Sequence, residues 1–301
     1  MFHIISPNRY LLSDHAGGFD QDLRNVYIDS VSQYQCVVSS EYCVDDRVRM
    51  QYPNICFEFD YRYKKHVFKK LYAYNQHPMQ NFKRFLCSFN GGSHISRKFL
   101  TAALYQRQWF DIDTCTKNFT FTTAALDGHI ADFVDNQQQR FYRKFFIDNH
   151  SESFFSTQYS IEYTPYDHIN NIYNLEQKIT QSFLHLVSET LATSYYPFVT
   201  EKFLLSVITR GLFLAYAQPG WHSHLQHYYG FRLYDKIFDY RFDSIKNPVE
   251  RLIELMSMIS KFSTLSKDDW GDLYEIEKDT IEYNYNHYFS DDYLKCLARY
   301  E

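Results

Sequence analysis

Residues 82–106 read FKRFLCSFNGGSHISRKFLTAALYQ, and this stretch predicts a strand, a glycine-rich loop and an amphipathic helix in that order. Aromatic and apolar residues favour a strand that ends at Asn90, where Gly91 and Gly92 mark the loop. We expect Ser96 to cap the helix, so that Arg97 falls in its first turn. A strand followed closely by a helix is the repeating unit of α/β proteins.

The same order recurs later in the chain. Residues 182–191 (SFLHLVSETL) predict a strand or a short helix, and residues 197–211 (PFVTEKFLLSVITRG) predict a helix with Thr200 as its N-cap. We expect Gly211 to end that helix in the left-handed conformation. The apolar run 212–217 (LFLAYA) follows as a buried strand. Alternating strands and helices predict a mostly parallel sheet covered on both faces.

The ends of the chain carry different patterns. Four strands are predicted in the first 80 residues, at 2–6, 25–31, 35–39 and 55–61, and the charged tail from Lys267 onward is predicted to be helical. The net charge of −5 provides no overall attraction to nucleic acid or membrane. Six scattered cysteines without a C-x-x-C pair favour a reducing cytoplasm, that of the host if the protein is viral.

Charged residues begin both predicted helices. In an open α/β sheet, ligands bind at the carboxyl ends of the strands, where a helix N-terminus offers free N–H groups to a phosphate. Lys202 and Arg97 would add full positive charges there, and the carboxylate of Glu201 would accept hydrogen bonds from ribose hydroxyls. If the two strand–helix units are neighbours, both cations meet one anion. A leaving diphosphate requires such stabilisation as its charge develops.

These segments, together with PGWHSHLQHYYGF, FDYRFDSI and NPVERL further on, resemble a known group of enzymes. The stretch from about 82 to 262 is similar to the donor-binding half of α1,3-fucosyltransferases and of phage and bacterial glycosyltransferases that carry a T-E-K helix. The resemblance implies a GT-B-like α/β fold, with two Rossmann-like lobes and the nucleotide-sugar site in their cleft. It implies an acceptor lobe at 1–80, a donor lobe at 81–270 and a helical tail at 271–301 that packs back on the first lobe.

The resemblance also implies roles for individual residues. It assigns Arg97 and Lys202 to the diphosphate of a UDP- or GDP-sugar and Glu201 to its ribose. The remaining positions that it places at the donor are Thr200, Glu189, Ser188 and Asn90. Where phage relatives often read N-R-R-P-R-P-H-R, this chain has NGGSHISR at 90–97, so only Asn90 and Arg97 match. No cofactor or metal ion is implied.

The catalytic base is expected in the first lobe. Asp20 and His15 flank the Gly17-Gly18 turn, where a carboxylate or an imidazole would reach an acceptor hydroxyl, although a polar surface loop has the same composition. Asp111 and Asp113 have the D-x-D spacing of metal-dependent transferases, but they follow a helix and are interpreted as a chance match. The histidines at 222, 224 and 227 do not share one helical face, which argues against a metal site.

Two acceptors fit the sequence. One is a glycan, as in the fucosyltransferases, and the other is hydroxymethylated DNA, as in phage enzymes of DNA modification. The second is favoured by a basic run interleaved with aromatic residues, whose cations are Arg62, Lys64, Lys65, Lys69 and Lys70. A sugar- or nucleotide-binding module without catalysis is the alternative function.

Overall fold

The structure of the protein is a computed structural model. The structure describes residues 2–6, 9–12, 36–40, 53–59, 79–160, 168–189, 192, 199–200, 202–290 and 292.

The first part of the chain contributes a four-stranded sheet. Its strands are β1 (Phe2–Ser6), β2 (Arg9–Leu12), β3 (Cys36–Ser40) and β4 (Ile55–Phe59), in that spatial order. β1 pairs antiparallel with β2, whereas β2, β3 and β4 are parallel. The sequence predicted β1, β3 and β4 but not β2, and the strand predicted at 25–31 lies outside the described residues.

A second four-stranded sheet is parallel throughout. It consists of β5 (Arg84–Asn90), β6 (Cys115–Lys117), β7 (Ser182–Ser188) and β8 (Phe213–Tyr216), and its spatial order is β6-β5-β7-β8. The prediction of a mostly parallel sheet is confirmed, and the ambiguous segment 182–191 contains a strand. An α/β fold with this sheet is compatible with a Rossmann-like lobe.

Ten α-helices and one 3₁₀ helix lie in the described part of the chain. The α-helices are α1 (Ile95–Gln106), α2 (Thr123–Phe133), α3 (Asn136–Phe146), α4 (Ser151–Ser156), α5 (His168–Thr180), α6 (Lys202–Ile208), α7 (Trp221–Tyr229), α8 (Pro248–Ser260), α9 (Lys267–Ile276) and α10 (Lys278–Phe289). The 3₁₀ helix spans Tyr240–Ser244. Within the described residues, no helix is long and apolar enough to cross a membrane.

Helices cover both faces of the parallel sheet. α1 packs with α2, α3, α4 and α8, whereas α6 packs with α5 and α10. Because side chains alternate along a strand, Leu86 and Cys87 point to opposite faces: Leu86 joins the main core, and Cys87 packs with Leu175 and Ile179 of α5. Right-handed crossovers that leave the centre of a sheet in opposite directions place their helices on opposite faces. This topology brings the starts of α1 and α6 to one edge.

Two predicted helix ends were wrong in detail. The N-cap of α1 is His94, and Ser96 lies inside the helix, where its hydroxyl bonds to a distant carbonyl oxygen. After α6, the left-handed residue is Arg210 (φ 54°) rather than Gly211. A Cβ at Gly211 would lie 2.8 Å from Cγ2 of Ile179, so this glycine is required for the close approach of α5.

The helical tail is confirmed as far as α10. Asn284 of α10 exchanges hydrogen bonds with the backbone of Arg232, and Glu282 lies 2.7 Å from Arg210 after α6. The guanidinium of Arg210 also lies 3.5 Å from the ring centroid of Tyr285. These contacts join α10 to the parallel-sheet part of the chain. The packing of the tail on the first lobe and the two-lobe arrangement stay predictions.

Candidate functional site

The centre of the parallel sheet is the point where the chain departs in opposite directions. From β5 the chain runs through α1 to β6 on one side, and from β7 it runs through α6 to β8 on the other. Between two such strands the connecting segments separate, and a crevice opens beyond their carboxyl ends. Asn90 ends β5 and Ser188 ends β7, so both predicted residues lie at this crevice.

The start of α1 provides positive charge. His94 makes no side-chain capping bond, and the first turn contains no acidic residue. Arg97 and Lys98 belong to this turn, so two cations lie at the positive end of a 12-residue helix. A Cβ on Gly92 would lie only 2.9 Å from Nη1 of Arg97. The glycine therefore lets the guanidinium approach the loop closely.

Glu189 connects the two helix starts. Its fully buried carboxylate accepts hydrogen bonds from the N–H of Thr200 (2.9 Å to Oε1) and from the Thr200 hydroxyl (2.6 Å to Oε2). Its backbone carbonyl accepts a bond from the Ser96 hydroxyl of α1 at 3.0 Å. Glu189, the residue that follows β7, therefore binds both the beginning of α1 and the segment before α6.

Lys202 is held by this arrangement. Its Nζ donates to Oγ1 of Thr200 at 2.8 Å and lies 3.7 Å from Oε2 of Glu189. The lysine side chain keeps 24% of its surface exposed, whereas Glu189 keeps none. Glu189 therefore lies behind Thr200 and Lys202 and orients them. Because α6 has only seven residues, its own dipole adds little, and the charge of Lys202 matters more.

The two helix starts share an electric field. The pKa of His94 is lowered to about 4 because the ring is partly buried and because Arg97, Lys202 and Lys98 repel its protonated form. Lys202 acts on this ring from α6, across the crevice from α1. Arg97 and Lys202 therefore both lie close enough to His94 to act on its charge.

A hydrogen-bond relay orients the Asn90 amide. The Ser88 hydroxyl donates to the carbonyl of Leu186 at 2.8 Å, so its oxygen is left to accept from Nδ2 of Asn90 at 3.1 Å. Because Nδ2 of Asn90 points toward Ser88, Oδ1 points away from it, and the described residues provide no hydrogen-bond partner for Oδ1. The hydroxyl of Ser188 also lacks one there. Buried polar groups left unsatisfied cost about 1–3 kcal/mol each, and such groups often mark functional sites.

The sequence analysis did not identify the buried residue that supports this edge of the sheet from inside the fold. Arg251 of α8 is 1% exposed, and it donates to the carbonyl oxygens of Ala217, Ile245, Lys246 and Ala192. It therefore ties the end of β8 to the segment after β7. The signal for it was the arginine in NPVERL, but the sequence could not show that its contacts are carbonyl oxygens.

A second buried cation, Lys117, is the last residue of β6. Lys117 is fully buried and donates to the carbonyl oxygens of Phe119, Phe155 and Thr157. Four aromatic rings surround its ammonium at 5.3–5.8 Å, and burial lowers its pKa to about 8. No sequence pattern indicated this cage, because its members come from separate segments.

The D-x-D motif lies at the opposite end of β5, and the histidine motif lies in α7, which follows β8. Asp111 and Asp113 pair with Arg84 (2.5 and 3.5 Å) at the first residue of β5, the end opposite Asn90. Nδ1 of His222 lies 2.8 Å from Asp243, and its Nε2 accepts the N–H of Ala215, so both ring nitrogens are occupied. Among the described residues, no group of histidine, cysteine and carboxylate side chains could hold a metal ion.

Several predicted site residues lie outside the described residues. These are Glu201, the proposed base residues Asp20 and His15, and the basic run Arg62, Lys64, Lys65, Lys69 and Lys70. The structure describes Arg97, Lys202, Thr200, Glu189, Ser188 and Asn90, and it brings them all to one edge. Comparison of the chain with family models, with curated proteins and with solved structures found no match.

Proposed function

We propose that this chain is a glycosyltransferase that moves a sugar from a nucleoside-diphosphate sugar to an acceptor hydroxyl without a metal ion. The gathering of Arg97, Lys202 and the start of α1 at the topological switch point carries this proposal. Helix starts at this edge of a parallel sheet bind phosphates in many unrelated proteins. The resemblance of residues 82–262 to T-E-K glycosyltransferases supports the same site.

The cations would act on the leaving group. The acceptor oxygen attacks the anomeric carbon, the bond from that carbon to the β-phosphate oxygen breaks, and the nucleoside diphosphate leaves with one more negative charge. Arg97 and Lys202 stabilise this charge because they are positioned before the reaction begins. Glu189 contributes indirectly, since it holds Thr200 and thereby the direction of Lys202.

Other parts of the donor have proposed partners nearby. Oδ1 of Asn90 would accept, and the Ser188 hydroxyl would donate or accept, a hydrogen bond from the nucleoside or the sugar. Glu201 would bind the ribose of a UDP- or GDP-sugar. The first lobe of a GT-B-like arrangement would provide the acceptor site, with Asp20 or His15 as the base. A host cytoplasm would be the setting of a phage enzyme.

A panel of donors tests the proposal. Thermal unfolding is measured with UDP-, GDP-, CMP- and dTDP-sugars, and we expect one nucleotide class to raise the melting temperature by mass action. The stabilising donor is then incubated with the protein alone, and release of nucleoside diphosphate distinguishes an enzyme from a binding module. Absence of any shift across the panel, at millimolar donor, would remove the proposed function.

The acceptor requires its own experiment. Hydroxymethylated DNA, plain DNA and a glycan mixture are each incubated with the stabilising donor, and the products are weighed by mass spectrometry. If the basic run from Arg62 to Lys70 contacts DNA phosphates, binding weakens steeply with salt, and each lysine removed lowers the salt slope by about one. A glycan acceptor predicts little dependence on salt. Sugar mass on hydroxymethylated DNA alone would identify the DNA-modifying activity.

A further inference from the structure

His94 is the N-cap of α1, and three cations act on its ring: Arg97 and Lys98 of α1, and Lys202 of α6. We propose that His94 is an adjustable member of the anion site: it is neutral while the site is empty and takes up a proton when a diphosphate binds. This inference rests on the anion site of the proposed function and deepens it. It predicts that the site binds its ligand together with a proton and prefers ligands of higher negative charge.

The geometry places the His94 ring and the Arg97 guanidinium beside the same glycine of the loop. A Cβ built on Gly92 would be 3.4 Å from two atoms of the His94 ring and 2.9 Å from Nη1 of Arg97, so imidazole and guanidinium flank one point of the loop. The His94 ring is half-buried, and its residue is the N-cap of α1 without a side-chain capping bond. The ring is therefore not committed to the helix that it begins.

The surrounding charges explain why the ring is neutral in the empty site. Arg97 and Lys98 act on it from its own helix, and Lys202 acts on it from α6. No carboxylate of the described residues is among the groups that shift it. Glu189, the acidic residue of the crevice, binds Thr200 and Lys202 instead. Burial and three like charges together lower the pKa of His94 to about 4.

A bound diphosphate reverses the sign of this field. An anion within about 4–6 Å raises the pKa of a cationic group by about 1–3 units, and a diphosphate brings at least two negative charges. We therefore expect the pKa of His94 to rise from about 4 to about 6 or above. Because the pKa is higher in the complex, affinity increases as the pH falls through the bound value, and it levels off below the free value.

Nuclear magnetic resonance of the histidine side chains measures the proton directly. The full chain is labelled with ¹³C-histidine, and the signal missing from His94→Gln identifies the residue. The ring is titrated alone and with saturating pyrophosphate. His129 is the internal control: it lies in the field of the same Lys98 but pairs with Asp132, and its pKa is expected to change by less than about half a unit.

A second measurement follows the ligand. The ratio of pyrophosphate affinities of wild type and His94→Gln cancels the titration of pyrophosphate itself, and we expect it to grow several-fold from pH 8 to pH 6. The inference is overturned if His94 titrates at the same pH with and without saturating pyrophosphate, or if pyrophosphate does not bind. Comparable melting temperatures of both proteins confirm that the variant is folded.

The two proposals fail in different ways. If pyrophosphate binds and His94 takes up a proton, but no nucleotide sugar is consumed, the adjustable anion site is supported and the transferase proposal is rejected. If a sugar is transferred while the His94 titration stays fixed, the transferase stands and the adjustable site falls.

Discussion

The molecule holds two kinds of cation, one inside the fold and one at the sheet edge. Arg251 and Lys117 are almost without exposed surface and are surrounded by carbonyl oxygens, with aromatic rings added around Lys117. At the crevice, by contrast, burial and the charges of Arg97, Lys202 and Lys98 together lower the pKa of the neighbouring His94 to about 4. Carbonyl oxygens bind Arg251 and Lys117, whereas Lys202 bonds to the Thr200 hydroxyl and lies 3.7 Å from Oε2 of Glu189.

The difference teaches how to separate structural from functional charge. A cation surrounded by carbonyl oxygens has exchanged its hydrogen bonds to water for hydrogen bonds to the protein. Such bonds contribute to stability. Like charges that are brought together raise the free energy of the fold, and that cost is recovered when an anion binds. Separate substitutions of the interior and the edge cations test this distinction.

Replacing the interior arginine should have the largest effect. Arg251→Ala leaves several buried carbonyl oxygens without a donor, and we expect the free energy of unfolding to fall by about 3 to 5 kcal/mol. Denaturation by urea measures it. Arg241→Ala is the matched control, since this arginine is 86% exposed and forms its ion pair with Asp239. We expect a change within about 1 kcal/mol for the control. Equal losses in both variants would erase the distinction between interior and exposed arginines.

The edge cations should affect activity instead of stability. Lys202→Ala and Arg97→Ala should each raise the activation free energy of transfer by about 2 to 4 kcal/mol, because the developing charge on the diphosphate loses a fixed cation. The unfolding free energy of Lys202→Ala should change much less than that of Arg251→Ala, because the Lys202 side chain keeps 24% of its surface exposed. Lys278→Ala, at an exposed ion pair with Glu275, is the control for activity. Transfer at the wild-type rate by Lys202→Ala would disprove the role of this lysine.

A buried carboxylate extends the comparison to anions. Glu277 is fully buried, its Oε1 accepts the N–H of Lys236, and its Oε2 has no partner among the described residues. Burial raises its pKa, so its contribution to stability is present at low pH and is lost as the pH rises through the folded-state pKa. Glu277→Gln should therefore be more stable than wild type by about 1 kcal/mol at pH 7.

The pH dependence provides the control for Glu277. The advantage of the glutamine variant should shrink as the pH falls through the raised pKa of the wild-type carboxyl. Glu275→Gln, on an exposed carboxylate, should show no such trend. A glutamine variant that is less stable than wild type at pH 7 would mean that the charge is favourable in its place.

Chelation should have the smallest effect. If Arg97, Lys202 and the start of α1 stabilise the leaving diphosphate, transfer should proceed at the same rate with EDTA present. Activity is measured with the stabilising donor before and after dialysis against chelator. Loss of activity that manganese restores would instead favour Asp111 and Asp113 as ligands, even though Arg84 pairs with both.

Patterns of neighbouring residues were enough to predict the local elements of this protein. Alternation and apolar runs located β5 and β8, and the helical spacing after Arg97 and Lys202 located α1 and α6. These predictions succeed because a strand or a helix depends mostly on residues close by in the chain. Charged residues at the beginnings of the helices could be identified for the same reason, and they gave the prediction that Arg97 and Lys202 bind one anion.

The way in which these elements pack together could be seen only in the folded chain. It placed β5 next to β7, although α1, β6 and several helices separate them in the chain. It also put Glu189 behind Thr200, made His94 the N-cap and surrounded Arg251 with carbonyl oxygens from three segments. Such contacts depend on strand order and on the closing of long loops, which no local pattern of residues encodes.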